Sequence, residues 1–106
     1  MRAGQLRHRI TIEQPTESRS SSGSVTETWS TFATRWAEME GLTGNERFEA
    51  EREHGEVDHR WRLRYLDGVT TKMRVNYDSR VFDIEARFDP TGKGEELVLL
   101  TNEKEA

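Results

Sequence analysis

Val57-Asp58-His59-Arg60-Trp61-Arg62-Leu63-Arg64-Tyr65 alternates without a break: Val57, His59, Trp61, Leu63 and Tyr65 occupy one parity, and Asp58, Arg60, Arg62 and Arg64 the other. Successive side chains of an extended backbone point to opposite sides, so this pattern is a strand with one face in a core and the other in water. The same period recurs downstream. Met73, Val75 and Tyr77 alternate with Lys72, Arg74 and Asn76 across Thr71–Tyr77, and Phe82, Ile84, Ala86 and Phe88 form the inward set of Arg80–Phe88. Asp67-Gly68 and Asp78-Ser79 are turn dipeptides between these segments, the first of which makes 57–65 and 71–77 a hairpin. After a turn at Pro90–Gly94, the segment Glu96–Thr101 is apolar on both faces through Leu97, Val98, Leu99 and Leu100. That suits a strand that is central or covered by a helix.

Upstream, Ile10 and Ile12 mark Arg7–Gln14 as a half-buried strand. Val25, Glu27 and Trp29 share a parity, and Thr34–Glu40 follows with Ala37 and Met39 on one side; this is either two strands or one strand bent near Phe32–Thr34. Between them, Pro15–Ser24 (PTESRSSSGS) offers no apolar area to bury and reads as a long, flexible polar loop. Thr43-Gly44-Asn45-Glu46 has the spacing of a capping box, which predicts a helix over about 44–54 stopped by Gly55. So short and polar a helix must dock through its one large apolar residue, Phe48, with Ala50 or the stem of Arg52 beside it. The expected fold is therefore mainly β, a small antiparallel β-barrel or sandwich of six to seven strands with one short α-helix. It forms a single domain over 1–106.

Hydrophobic residues make up 32% of the chain and charged residues 34%, so the core must be thin, and either the isolated fold is marginal or partner subunits complete the burial. Three Trp, four Phe and two Tyr argue against disorder. The net charge is -4, and residues 1–47 hold six Arg against six Glu, so no basic tail marks a domain whose main ligand is nucleic acid. Without cysteine there is neither a disulfide framework nor a thiolate metal site, which suits synthesis in a reducing cytoplasm. The N-terminal residues lack the apolar run of a signal peptide, and no stretch approaches the ~18 apolar residues of a membrane span, so a soluble protein is expected.

Reactive chemistry finds no footing. His54, Glu56, Asp58 and His59 include metal-ligating types, but they straddle a helix-to-strand junction and the alternation puts Asp58 and His59 on opposite faces. Ser18, Ser20, Ser21, Ser22 and Ser24 have no neighbouring His to activate them. Glu38 and Glu40 share a strand face, yet with twenty acids in the chain such pairs arise by chance. No catalytic, metal-binding or cofactor-binding residue is assigned, and no enzyme activity is expected. What remains is a cationic stripe of Arg60, Arg62, Arg64 and, across the expected hairpin, Arg74. It reads as a solvated face, as a subunit interface toward Glu49, Glu51 and Glu53 of another copy, or as a single-strand nucleic-acid surface with Trp61 or Tyr65 stacking. The alternation counts against the last, since Trp61 and Tyr65 face the core.

The order of features over residues 3–103 resembles the phage head-tail joining family, the small head-closure or head-tail adaptor proteins of long-tailed bacteriophages. The resemblance is carried by Ala3-Gly4-Gln5-Leu6-Arg7-His8-Arg9-Ile10-Thr11-Ile12, the Gly-containing loop leading to Val25 and Trp29, and Trp36-Ala37-Glu38. Gly44–Arg47, His59–Tyr65, Gly68, Met73-Arg74-Val75, Arg80, Phe82, Ile84 and Leu97–Glu103 add to it. Thr101 departs from the pattern, which often has Cys there. The resemblance implies a β-barrel with a packed helix, assembled as a twelvefold ring in the neck of the virion. That ring would sit between portal-adaptor proteins and tail-completion or tail-tube proteins, with genomic DNA passing through its lumen without sequence-specific binding. It implies no cofactor and no membrane partner. On this reading Glu17, Arg19, Ser20, Ser21 and Ser22 form a docking loop, and Arg60, Arg62, Arg64, Arg74, Glu49 and Glu53 a subunit interface. A tail-completion or other connector role in the same particle is the nearest alternative, and an oligonucleotide-binding β-barrel a remoter one.

Overall fold

A computed structural model describes residue 4 and residues 6–104. Ala3 and Gln5, which contribute to the resemblance, lie outside the described residues. The chain forms β1 (His8–Arg19), β2 (Val25–Gly41), α1 (Gly44–His54), β3 (His59–Arg64), β4 (Arg74–Tyr77), β5 (Arg80–Phe88) and β6 (Glu96–Glu103). All neighbours are antiparallel, in the order β1-β2-β3-β6-β5-β4. The sheet closes on itself where Thr11–Glu13 of β1 pair with Asn76–Arg74 of β4. Of the two architectures expected, the barrel is the one formed.

Closure fixes which residues face inward. Ile10 and Ile12 from β1, Ala37 from β2, Trp61 and Leu63 from β3, Val75 from β4, Phe82 and Ile84 from β5, and Leu97 and Leu99 from β6 fill the interior. Trp61 stands at its centre, edge-on to Phe82 at 5.0 Å and to Tyr77 at 5.8 Å between ring centroids. Its indole N–H donates to Thr101 Oγ1 at 2.9 Å, and Thr101 donates in turn to the His59 carbonyl at 3.3 Å. A buried indole needs such an acceptor, and the hydroxyl at Thr101 provides it inside an otherwise apolar barrel.

The helix caps as its sequence requires: Thr43 Oγ1 accepts from the Glu46 amide at 3.4 Å and donates to the Glu46 carboxylate at 2.8 Å, and Gly55 ends it at φ 82°. It does not dock through Phe48, which is 65% exposed under the guanidinium of Arg52. Ala50 and Leu42 instead pack on a small outer cluster of Val57, Ala86 and Leu100. Glu46, Ala50 and His54, one turn apart, share the half-buried face of the helix, and Phe48, two positions from Glu46 and from Ala50, points to the opposite side. The outer side of β6 is thereby covered, as its two-faced apolar sequence anticipates.

Three expectations change. The segment 57–65 does not form a hairpin with 71–77, since β3 pairs with β2 and β6 while β4 pairs with β1 and β5. The linker 65–73 crosses the end of the barrel, and Leu66, Val69 and Met73 pack into the core there, which separates the strands. Strand β4 accordingly starts only at Arg74, after a turn in which the Met73 amide donates to the Thr70 carbonyl at 3.2 Å. Tyr65 lies past the end of β3 and is exposed rather than core, and Phe88 is exposed because a bulge between Ile84 and Ala86 shifts the parity of β5.

The polar stretch Pro15–Ser24 also departs from a loop. Pro15–Arg19 continue β1 and pair residue by residue with Trp29–Val25, leaving only Ser20–Ser24 as the turn. Backbone hydrogen bonds between two strands require no apolar face, so this ladder leaves no hydrophobic period in the sequence. Strand β2 is a single strand bent at Phe32, the extra residue where the register shifts from Ile12↔Ala33 to Glu13↔Thr31.

Replacing Thr101 by Val keeps the shape but leaves the Trp61 N–H buried without an acceptor. Urea unfolding of Thr101→Val is expected to show a loss of about 1–3 kcal/mol, and Thr101→Ser a much smaller one.

Candidate functional site

Two surface features stand out once the barrel is built, and both lie on the strands that outrun it. Beyond Glu13, β1 has no neighbour except β2, and β2 meets β3 only from Ala37 onward. Gln14–Arg19 and Val25–Ser30 therefore form a two-stranded ribbon free of the barrel. At 3.2–3.4 Å per residue, six residues add about 20 Å, in keeping with the elongated 49 × 28 × 27 Å shape.

The ribbon's two sides differ in kind. Gln14, Thr16 and Ser18 face Ser30, Thr28 and Thr26 on a neutral hydroxyl side, where Thr16 and Ser30 hydroxyls lie 3.2 Å apart and Thr28 Oγ1 donates to the Thr16 carbonyl at 3.2 Å. The other side continues the outer wall of the barrel with Pro15 opposite Trp29, Glu17 opposite Glu27 and Arg19 opposite Val25. At the tip, the Ser20 amide donates to the Ser24 carbonyl at 2.9 Å, and the Ser20 and Ser22 hydroxyls are 2.8 Å apart, with Ser21 exposed beside them. The root is anchored by Arg74, whose guanidinium stacks 4.1 Å from the Trp29 ring and donates to Glu13 at 2.8 Å. Phe32 packs against the core at the bulge.

The second feature is a groove of about 460 Å³ on the barrel wall, lined by Leu6, Arg9, Thr34, Arg35, Trp36 and Arg64. Trp36 is 51% exposed, with the Arg9 guanidinium 5.7 Å from its ring. Ala37 is fully buried, so the alternation of β2 must turn Trp36 outward. Among the described residues, Arg9, Arg35 and Arg64 have no carboxylate partner.

The expected Arg stripe breaks up. Arg60 binds Glu40 and, at 3.0 Å, Glu46; Arg62 lies 3.6 Å from Glu96 and 3.9 Å from Glu40; Arg74 sits on the far side of the barrel with Glu13. Only Arg64 joins the groove. Glu49 and Glu53 are exposed on α1, outside these ion pairs. Asp58 and His59 are not held apart but hydrogen-bond at 2.6 Å, and Asp58 also accepts from the Glu103 amide at 3.1 Å. Among the described residues no group of three His, Cys, Asp or Glu is placed to hold a metal ion, and no helix is long and apolar enough to cross a membrane. Trp36 was open to sequence reasoning through the inward parity of Ala37 and Met39. Its arginine neighbours come from three different strands and were not.

The ion pairs shift titrations in a consistent direction. The Arg60 hydrogen bond holds Glu40 below the ordinary carboxylate value of 4.5, and the bidentate Arg80 does the same to Glu103, at 2.7 and 2.8 Å. Glu38 goes the other way, raised first by burial and then by its neighbour Glu40.

A family model described as phage head completion protein matches residues 1–105. No curated protein sequence matches the chain. Among solved structures, the fold is similar to the solution structure of protein SF1141 from Shigella flexneri 2a, at 26% identity and a TM-score of 0.79, covering 97% of this chain and 96% of that one. It is also similar to a chain of the virion of the native gene transfer agent particle, at 16% identity and a TM-score of 0.64, covering 95% and 97%; this second likeness is one of fold.

A carboxylate whose folded-state pKa is lowered contributes stability above its unfolded value and loses it as pH falls. Urea midpoints are therefore expected to drop as pH falls below about 4.5, with Glu38 partly opposing the trend. Glu103→Gln is expected to be less stable at neutral pH and to show a shallower acid decline.

Proposed function

The chain belongs to the phage head completion protein family, and from that premise we propose that it closes the DNA-filled head as a ring of copies seated in the neck. As a member of that family it is a structural protein of the phage head and a component of the virion particle. In the proposed arrangement the ring, twelvefold in the assembled particle, stacks on portal-adaptor proteins and presents a docking surface to tail-completion or tail-tube proteins. Genomic DNA passes through the lumen without sequence-specific contacts, in keeping with a net charge of -4. The role is one of assembly rather than catalysis.

The observation that carries this reading is the ribbon. An isolated two-stranded hairpin is at best marginally stable in water, and here the last six pairs of β1 and β2 have neither a third strand nor an apolar cover. A barrel that takes Ile10, Ile12, Phe32, Ala37 and Met39 from these strands gains nothing by extending them beyond Glu13 and before Thr31. The extension is explained by a neighbour that completes it. The similar fold of a chain in the gene transfer agent virion supports the same setting.

Removing residues 17–27 and joining Thr16 to Thr28 through Asn-Gly keeps the ladder register and closes it with a tight turn. The shortened protein is expected to keep the β-barrel's circular dichroism and thermal transition within a few degrees. It is also expected to fail to restore infectious particles in cells lacking the gene, leaving DNA-filled heads without tails. Normal particle yield from the shortened protein would refute the reading.

A further inference from the structure

We infer that the ribbon of one copy docks its Glu17–Glu27 pair and Val25 on the Arg9–Trp36–Arg64 groove of the next copy. This rests on the ring proposed above and names the contact that links its members.

The first ground is an unmet charge on the ribbon. Glu17 and Glu27 are direct cross-strand partners, and both are exposed on the same side. Like charges directly opposite each other in a sheet are destabilising, and a free hairpin has no reason to keep them. Arg19 follows on the same side but makes no ion pair with either, and among the described residues neither carboxylate has a cationic partner. The second ground is the complementary deficit on the barrel wall. Arg60, Arg62, Arg74 and Arg80 are each matched by a glutamate of their own chain, whereas Arg9 and Arg64, which among the described residues make no ion pair, line the groove beside an exposed indole. Guanidinium forks suit two adjacent carboxylates, and Trp with Arg is the composition of an interface centre. Val25, 54% exposed beside the acidic pair, supplies apolar surface for the indole.

The third ground is reach. Glu27 and Trp36 lie on the same strand nine residues apart, a separation of about 30 Å in extended chain, so a copy cannot seat its ribbon in its own groove. Donor and acceptor sit at opposite ends of one outer face, and each copy can give one contact and receive one. A head-to-tail contact of this kind closes into a ring when its rotation permits, and otherwise grows a filament. Duplex DNA in the groove would account for the arginines but would leave the Glu17–Glu27 pair unexplained.

The absence of native cysteine makes the test direct. Glu27→Cys/Arg64→Cys in the full chain places two thiols too far apart to bridge within one copy. Mild oxidation of the purified protein at high concentration, and of particles carrying it, is expected to give a ladder of dimers, trimers and higher species on non-reducing gels, with each single-cysteine variant stopping at dimer. Arg9→Glu/Arg64→Glu is expected to lower incorporation into particles at least about tenfold, and adding Glu17→Arg/Glu27→Arg to the same chain to restore it. Absence of the ladder from particles that contain the protein would overturn this contact while leaving the neck role intact. A ladder in solution from a protein absent from particles would do the reverse. Salt-sensitive binding of duplex DNA that is lost in Arg9→Glu/Arg64→Glu, with no ladder, would also overturn the contact and assign the groove to nucleic acid.

Discussion

Closure of the sheet is the constraint on which everything else depends. Three residue pairs, Thr11–Asn76, Ile12–Val75 and Glu13–Arg74, join the first strand to the fourth and turn six strands into a barrel. A barrel this small has room for one layer of side chains, so every alternate residue is committed to the interior and the rest are excluded from it. Trp61 occupies the middle, and its N–H must be met inside, which gives Thr101 its place in the closing strand. The high charge of the chain follows from the same geometry. With so few inward positions, most of the sequence is wall.

Once the wall is fixed, its charges sort into two populations. Arginines 60, 62, 74 and 80 lie beside glutamates on adjacent strands or on the helix and make ion pairs within the chain, short for all but Arg62. Exposed pairs of this kind contribute little stability individually. At the two ends of the long outer face, among the described residues, arginines around Trp36 and the carboxylate pair of the ribbon stand outside any ion pair. That polarity along a 49 Å molecule suits the proposed contact between copies.

The sequence disclosed the parts of the fold that bury something. Val57–Tyr65, Arg80–Phe88 and Glu96–Thr101 were readable because one face of each, or both, enters a core, and the capping box at Thr43–Glu46 was readable because its hydrogen bonds are local. The ribbon was not. Its strands pair through backbone alone, and Pro15–Ser24 carries the Ser, Thr and Pro content of a loop whether or not it is one. The hairpin expected at Asp67-Gly68 failed because the turn dipeptide is local while the pairing of β3 with β6 spans some forty residues, as in Trp61↔Leu99. Phe48 misled for a related reason: a large apolar residue on a short helix implies docking only if it shares the face that meets the barrel, and that face carries Glu46, Ala50 and His54. The groove escaped because Arg9, Trp36 and Arg64 are brought together only by the β1–β2–β3 register, and because Arg60 and Arg62 drew attention to a stripe whose charges are already matched.

In the proposed function this barrel is a neck component held to its neighbours through the ribbon. Cryo-electron microscopy of the intact virion, at a resolution that separates strands, tests it most directly. A ring of six-stranded barrels between portal and tail is expected, with each ribbon tip lying over the Trp36 groove of the adjacent copy. Barrels elsewhere in the particle, or ribbons directed away from their neighbours, would contradict it.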